Sequence, residues 1–463
     1  MNRNTSITLR RRPERRHAVA LTSMLTAAAL LSACGSSSGD TPAAAEPSTT
    51  AALQADFDAA MSTPTTLTFW NWVPGIETLT DLFMEEYPEI EVKVVNVGQG
   101  AEHYQQLRTA LQAGQGAPDV AQMEYQMISS FRLGDDLLDL APYTGDLSDR
   151  YPEWVWSQVT EGDQVWAVPF DTGPMGSLHR ADLFEEAGIE VPATWEDFAE
   201  AAAVYREAKP DSFIANVPGN DAGHFVGLLW QSGARPFGYD GQETVRIDLM
   251  GEETQRVVSY WQKLIQDDLV SVDPDFTDQW YQGLASGRYA SWQTAAWGPL
   301  FLQGTAADTS GAWRASPLPQ WDEGEEVAGN WGGSTTAVMA TTENPIAAAE
   351  LARWISLERE PAILAATELF QFPPSTEILQ DGSFLEQESE FYGGQQVNRV
   401  FAEIAETVQV DFQWLPFMDY AYQSFDETLG KAIADRGDMS ASLQEWQDDL
   451  VRYAESQGFT VEK

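Results

Sequence analysis

From Leu67 onward, short apolar runs alternate with longer segments whose apolar residues recur every three or four positions. That alternation confines the chain to an α/β architecture, because strands separated by helices form a mostly parallel sheet with helices on its faces. Leu67-Thr68-Phe69-Trp70 reads as a first strand, Ile90–Val95 as a second and Pro118–Ala121 as a third. Between them, Leu79, Leu82, Phe83 and Tyr87 share one helical face, and Tyr104, Leu107 and Leu111 another. Val165–Phe170, Phe213–Asn216 and Ser334–Ala340 read as later strands. Thr194 has the character of an N-cap for a helix running to about Ala208, with Glu196 and Asp197 in its first turn. Ala222–Gln231, Glu252–Asp268, a helix opening at Asn344-Pro345, Asp419–Ala434 and Ser440–Tyr453 complete the helical pattern.

The first 33 residues differ in kind. Six arginines precede an apolar run from Ala18 to Leu31, followed by Leu31-Ser32-Ala33-Cys34. This is an export signal (residues 1–33), its apolar run shorter than the ~20 residues that a membrane-spanning helix requires. Its last four residues resemble the lipobox of bacterial lipoproteins, which makes Cys34 the lipidated first residue of the mature chain. Cys34 is the chain's one cysteine, so no internal disulfide forms and the fold rests on its core alone. Residues 34–64 are rich in Ser, Thr, Ala, Pro and Gly and read as a flexible tether.

The net charge is −45, and the arginine-rich signal makes the remainder more acidic still. Such a surface lacks the basic footprint of a nucleic-acid binder. The sequence has no Gly-x-Ser-x-Gly, no His-Glu-x-x-His and no phosphate-binding Gly-x-x-x-x-Gly-Lys. Its 4 histidines are scattered. Asp273, Asp275 and Asp278 lack the glycine and distal glutamate of a calcium loop and read as a turn and helix cap. No metal and no cofactor are expected. The 17 tryptophans carry more information, because several stand where strands end: Trp70, Trp72, Trp297, Trp331 and Trp414. Ligands of open α/β sheets bind beyond the carboxyl ends of strands. Aromatic rings there, beside Glu124 and Asp171, suit the C–H faces and hydroxyls of a saccharide.

Leu67–Trp70, Gly116-Ala117-Pro118-Asp119-Val120, Ala167–Phe170 leading into Asp182-Leu183-Phe184, Ala285–Ala290 with Trp297-Gly298-Pro299, and Gly332-Gly333-Ser334 occur in an order that resembles the extracellular solute-binding proteins of ABC importers, the group of maltose-binding protein. The resemblance implies a periplasmic-binding-protein-like clamp of two α/β lobes with a helical C-terminal part. It implies a sugar or oligosaccharide in the interlobe cleft, delivery to ABC permease subunits, a monomer, no enzymatic activity, and a place on the extracellular face of the cytoplasmic membrane through the lipid on Cys34. Expected lobe 1 is 65–171 and 292–338, and expected lobe 2 is 172–291 and 339–463. Matching position by position, the resemblance implies ligand contacts from Trp70, Asn71, Trp72, Glu124, Tyr125, Gln126, Asp171, His224, Trp230, Trp297, Trp331, Gly332, Gly333, Trp414 and Phe417. Leu178-His179-Arg180 departs from the family's Tyr-Asn-Lys turn. The alternatives are another solute, such as a polyol phosphate or peptide, and a glycoside hydrolase using Glu124 and Asp171 as paired carboxylates. The anchor is directly testable: Cys34→Ala releases the protein into the medium, whereas retention of the variant in the membrane fraction at the wild-type level contradicts the lipoprotein reading.

Overall fold

The computed structural model describes residues 49–462. The export signal, Cys34 and the first part of the tether lie outside the described residues. The tether expected through residue 64 is corrected at its end, where Thr49–Met61 form a helix. Alanines favour that helix. Tertiary packing fixes it, with Phe57 edge-on to Tyr87 at 6.4 Å and Met61 buried.

Thr65–Trp70 pairs in parallel with Ile90–Val95 on one side and with Val120–Glu124 on the other. The helices Glu77–Glu86 and Ala101–Ala113 connect these strands, as the periodicity implied. The sheet then continues through two strands that cross the molecule. Asn330–Val338 runs antiparallel to Val120–Glu124 and also pairs with Val168–Arg180. The first half of Val168–Arg180 lies in this sheet. Its second half pairs antiparallel with Ser291–Ala295 and with Trp313–Pro317. One 13-residue strand therefore belongs to both lobes. Antiparallel pairing is what a chain that crosses and returns must produce.

These pairings correct the expected boundaries. Ser291–Ala295 and Trp313–Pro317 sit with the second half of the long strand, so residues from 292 to about 329 belong to lobe 2. The helix Pro345–Leu357 returns to lobe 1 and not to lobe 2. Its Trp354 meets Phe83 at 5.6 Å and its Glu350 accepts a 3.0 Å hydrogen bond from Tyr87. A third segment then crosses beside the long strand, where the Thr172 amide donates to the Phe372 carbonyl at 3.0 Å. Arg359–Thr367 packs on lobe 1 against Pro345–Leu357, and the helices Val397–Ala405, Met418–Glu427, Leu429–Ala434 and Met439–Gln457 pack on lobe 2. The helix expected over Asp419–Ala434 is broken at Thr428.

Lobe 2 is anchored locally as expected. Thr194 caps Trp195–Ala208 in a capping box with Asp197, worth about 0.5–2 kcal/mol. Arg288 and Tyr289 hold Asp273. Asn220 holds Asp275, and Thr277 caps Asp278–Ser286. The three aspartates thus serve separate partners.

The crossover is tightly built. Asn330 accepts from the Gly173 amide and donates to the Gly332 carbonyl, at 2.9 and 2.8 Å. A Cβ on Gly173 would collide with the Trp331 carbonyl. Gly333 has φ +89°, and a Cβ there would lie 2.9 Å from the Asp171 carbonyl oxygen. Gly333→Ala is therefore expected to destabilise by more than about 1 kcal/mol, since both backbone conformation and space exclude a side chain. Urea unfolding checks this; an unchanged midpoint would mean that the crossover tolerates the added methyl group.

Candidate ligand-binding cleft

Lobe 1 brings two strand ends and the middle of the long strand together. After Thr65–Trp70 the chain turns at Asn71, whose Oδ1 accepts from the Val73 amide at 2.8 Å. This turn leaves Trp72 half-buried, its amide donating to Gln122 Oε1. At the end of Val120–Glu124, the Tyr104 hydroxyl donates to Glu124 Oε2 at 3.1 Å and accepts from the Glu124 amide at 2.8 Å. The Glu124 carboxyl is pushed up by burial, against hydrogen bonds from Tyr104 and Gln126. On the long strand, one carboxylate oxygen of Asp171 accepts from both the amide and the hydroxyl of Ser334. Burial raises Asp171 to about 6, with the Ser334 bonds opposing the rise and Glu124 adding to it. Tyr125 donates to the Asp171 carbonyl at 3.1 Å.

Lobe 2 supplies the opposite wall. Asp221 caps the helix Ala222–Gln231 through the His224 amide, at 2.7 Å. Its neighbour Asn220 donates to Asp275 Oδ1 at 2.9 Å. Asp275 is 3 % exposed and its Oδ2 has no partner among the described residues. Burial raises the carboxyls of Asp221, Asp275 and Asp426. Asp221 also feels Asp426 and, across the gap, Glu124. Tyr422 feels both Glu124 and Asp221. Glu124 of lobe 1 and Asp221 of lobe 2 thus lie near enough for each to add to the negative charge around the other.

Beside them stands an aromatic cluster. Trp297 meets Trp331 at 4.6 Å and donates to its carbonyl at 3.0 Å. Phe276 stands 6.1 Å from each of those rings, and Phe301 5.6 Å from Trp297. Phe276 and Phe301 are exposed. His224 meets Trp331 at 5.0 Å, and its burial depresses its basicity to about 4. It supports the ring as a neutral imidazole.

Several expected contacts lie elsewhere. Trp230 is fully buried, stacked on Phe412 at 4.3 Å, with its indole N–H donating to the Gln409 carbonyl. Trp414 belongs to the same interior cluster and donates to Gln158 Oε1. Phe417 is buried between Tyr453 and Phe459. These three are core residues, because their helices and loops turn them inward. Trp70, Asn71, Tyr125 and His224 are also buried and act by holding their neighbours. Gly332 and Gly333 shape the crossover. Trp72, Glu124, Gln126 and Trp297 are half-buried, and Asp171 keeps 8 % exposure. Asp221, Asp275, Phe276, Phe301, Tyr422 and Asp426 were not expected. Only the helix-cap character of Asp221 and the Asp-Phe pair at 275–276 could have marked them.

Residues 46–360 match the family of bacterial extracellular solute-binding proteins. The chain belongs to that family, whose members bind solutes outside the cytoplasm. It is similar to an ABC-transporter-associated binding protein of Bifidobacterium animalis subsp. lactis Bl-04, solved with β-1,6-galactobiose. That similarity is 29 % identity and a TM-score of 0.75, covering 86 % of this chain and 99 % of that one. The lacto-N-biose-binding protein of Bifidobacterium longum shares the fold at 21 % identity and TM-score 0.75, over 86 % and 98 % of the two chains. The arabinooligosaccharide-binding protein of Halalkalibacterium halodurans is 24 % identical over 363 residues, 74 % of this chain and 79 % of that one.

The buried acids make stability pH-dependent. A carboxyl raised above its unfolded value contributes stability at low pH, and loses it as pH rises through the folded value. Asp275 is raised by burial and by Asp221. Asp275→Asn is expected to flatten the fall in melting temperature as pH rises from the ordinary carboxylate range through neutrality. Parallel curves for variant and wild type would show Asp275 ionised throughout.

Proposed function

We propose that this protein is the substrate-binding component of an ABC importer, that it takes a neutral oligosaccharide between its lobes, and that a lipid on Cys34 holds it at the outer face of the cytoplasmic membrane. The observation that carries the reading is the pairing of an aromatic wall, Trp297, Trp331 and Phe276, with carboxylates from both lobes, Glu124, Asp171, Asp221 and Asp275. Sugar rings stack on aromatic faces, and carboxylates accept from sugar hydroxyls. No lysine or arginine hydrogen-bonds to any of these four carboxylates among the described residues. Each keeps lone pairs beyond the bonds from Tyr104, Ser334, His224 and Asn220, so acceptor capacity remains for hydroxyls, and an anionic ligand such as a polyol phosphate would find no cation to pair with. The relatives that bind galactobiose and arabinooligosaccharides support the same class. Ligand-induced closure follows if the two-lobe contacts form only with the sugar in place.

A thermal-shift screen against neutral saccharides, followed by calorimetry, tests this reading. A ligand at a hundredfold excess over Kd stabilises by about 2.7 kcal/mol. Cleavage of a bound oligosaccharide during incubation would favour the hydrolase reading over transport. Trp297→Ala is expected to cost on the order of 2 kcal/mol of binding, the threshold of a hot spot. A loss confined to folding stability, with affinity preserved, would make Trp297 a packing residue.

A further inference from the structure

A pocket of about 610 Å³ opens beside Trp297, on the side formed by Pro299, Phe370, Phe372 and the loop that carries Gln387 and Tyr392. That volume falls within the usual range for small-molecule sites. Most of its walls come after residue 360, beyond the residues that match the family.

Its lining is chemically specific. Phe370 is 44 % exposed and holds φ at +59°. A bulky aromatic side chain rarely adopts that left-handed conformation, and such conformations concentrate at ligand sites. Around it, the lining includes glutamines, an asparagine and two glutamates, with no lysine or arginine. The Gln387 amide nitrogen donates to the Ser383 carbonyl and that of Asn398 to the Phe384 carbonyl. Both amide oxygens remain without a donor among the described residues, ready to accept from hydroxyls. The Tyr392 hydroxyl donates to the Pro299 carbonyl and so ties the loop to the segment that follows Trp297. Aromatic surface with acceptor groups and no cations is the same chemistry as the cleft. The two spaces share Trp297.

We propose that this pocket is a second sugar subsite, continuous with the cleft at Trp297 and with Phe370 as its stacking platform, so that the preferred ligand is a neutral oligosaccharide of at least three units. The inference rests on the saccharide reading above and adds the length of the ligand and the residues that read it.

Calorimetry on the full chain with β-1,6-galactooligosaccharides and with arabinooligosaccharides of two to five units tests it. In the series that binds, affinity is expected to rise roughly tenfold between two units and three or four. Phe370→Asn removes the ring while placing a residue that tolerates positive φ, so the fold is retained. This variant is expected to weaken the tetrasaccharide about fivefold more than the disaccharide, as the loss of one stacking contact requires. Equal affinity across the series, or an equal effect of Phe370→Asn on short and long ligands, overturns the subsite while leaving the saccharide reading in place. Failure of every member of both series, and of the neutral saccharides of the thermal-shift screen, to bind overturns both.

Discussion

The Asp171 carboxylate fastens the two strands on which both lobes are hung. It accepts from the amide and hydroxyl of Ser334, so the strand leaving lobe 1 and the strand returning to it are locked where they cross. The third crossing segment is tied to the same place through Thr172 and Phe372. Gly173 and Gly333 allow the two strands to approach closely where they cross. Asp171 is therefore first a structural group. Its raised affinity for protons reflects burial, which is the cost of holding a carboxylate at the centre of the molecule.

That crossing point decides what the cleft contains. Strand ends from lobe 1 deliver Trp72, Glu124 and Gln126 to one side. The cap of Ala222–Gln231 and the turn at Asp275-Phe276 deliver carboxylates and a ring to the other. Trp331 lies on the returning strand itself, so its position and that of Trp297, which donates to its carbonyl, depend on the crossover geometry. A movement of one lobe about the crossing strands would change the distance between the acidic walls while leaving the aromatic cluster intact. Repulsion between Glu124 and Asp221 across the gap opposes closure of an empty cleft, and hydroxyl donors from a ligand would relieve it.

The local elements were legible because they rest on local chemistry. The first three strands, the N-cap at Thr194 and the helices Ala222–Gln231 and Pro345–Leu357 appear close to where periodicity and cap residues place them. Lobe membership was not legible. The sequence pattern ends a strand at Phe170, yet the long strand runs straight on through Asp171-Thr172-Gly173-Pro174, because the Gly173 amide finds Asn330 and the Pro174 nitrogen has no hydrogen to pair. The aromatic residues divided for a similar reason. Ala222–Gln231 is apolar on every side, so nothing in its sequence distinguishes Trp230, facing the core, from His224, facing Trp331. The acidic wall joins residues 124, 221, 275 and 426, whose separations no local pattern can bridge.

The central claim is that a saccharide between the lobes draws them together about the Asp171–Ser334 crossing. Small-angle X-ray scattering of the soluble chain, lacking the export signal and the lipid, tests this most directly, with and without a saturating saccharide identified by calorimetry. The account predicts a smaller radius of gyration in the bound state. Binding with no change in the scattering curve would contradict it.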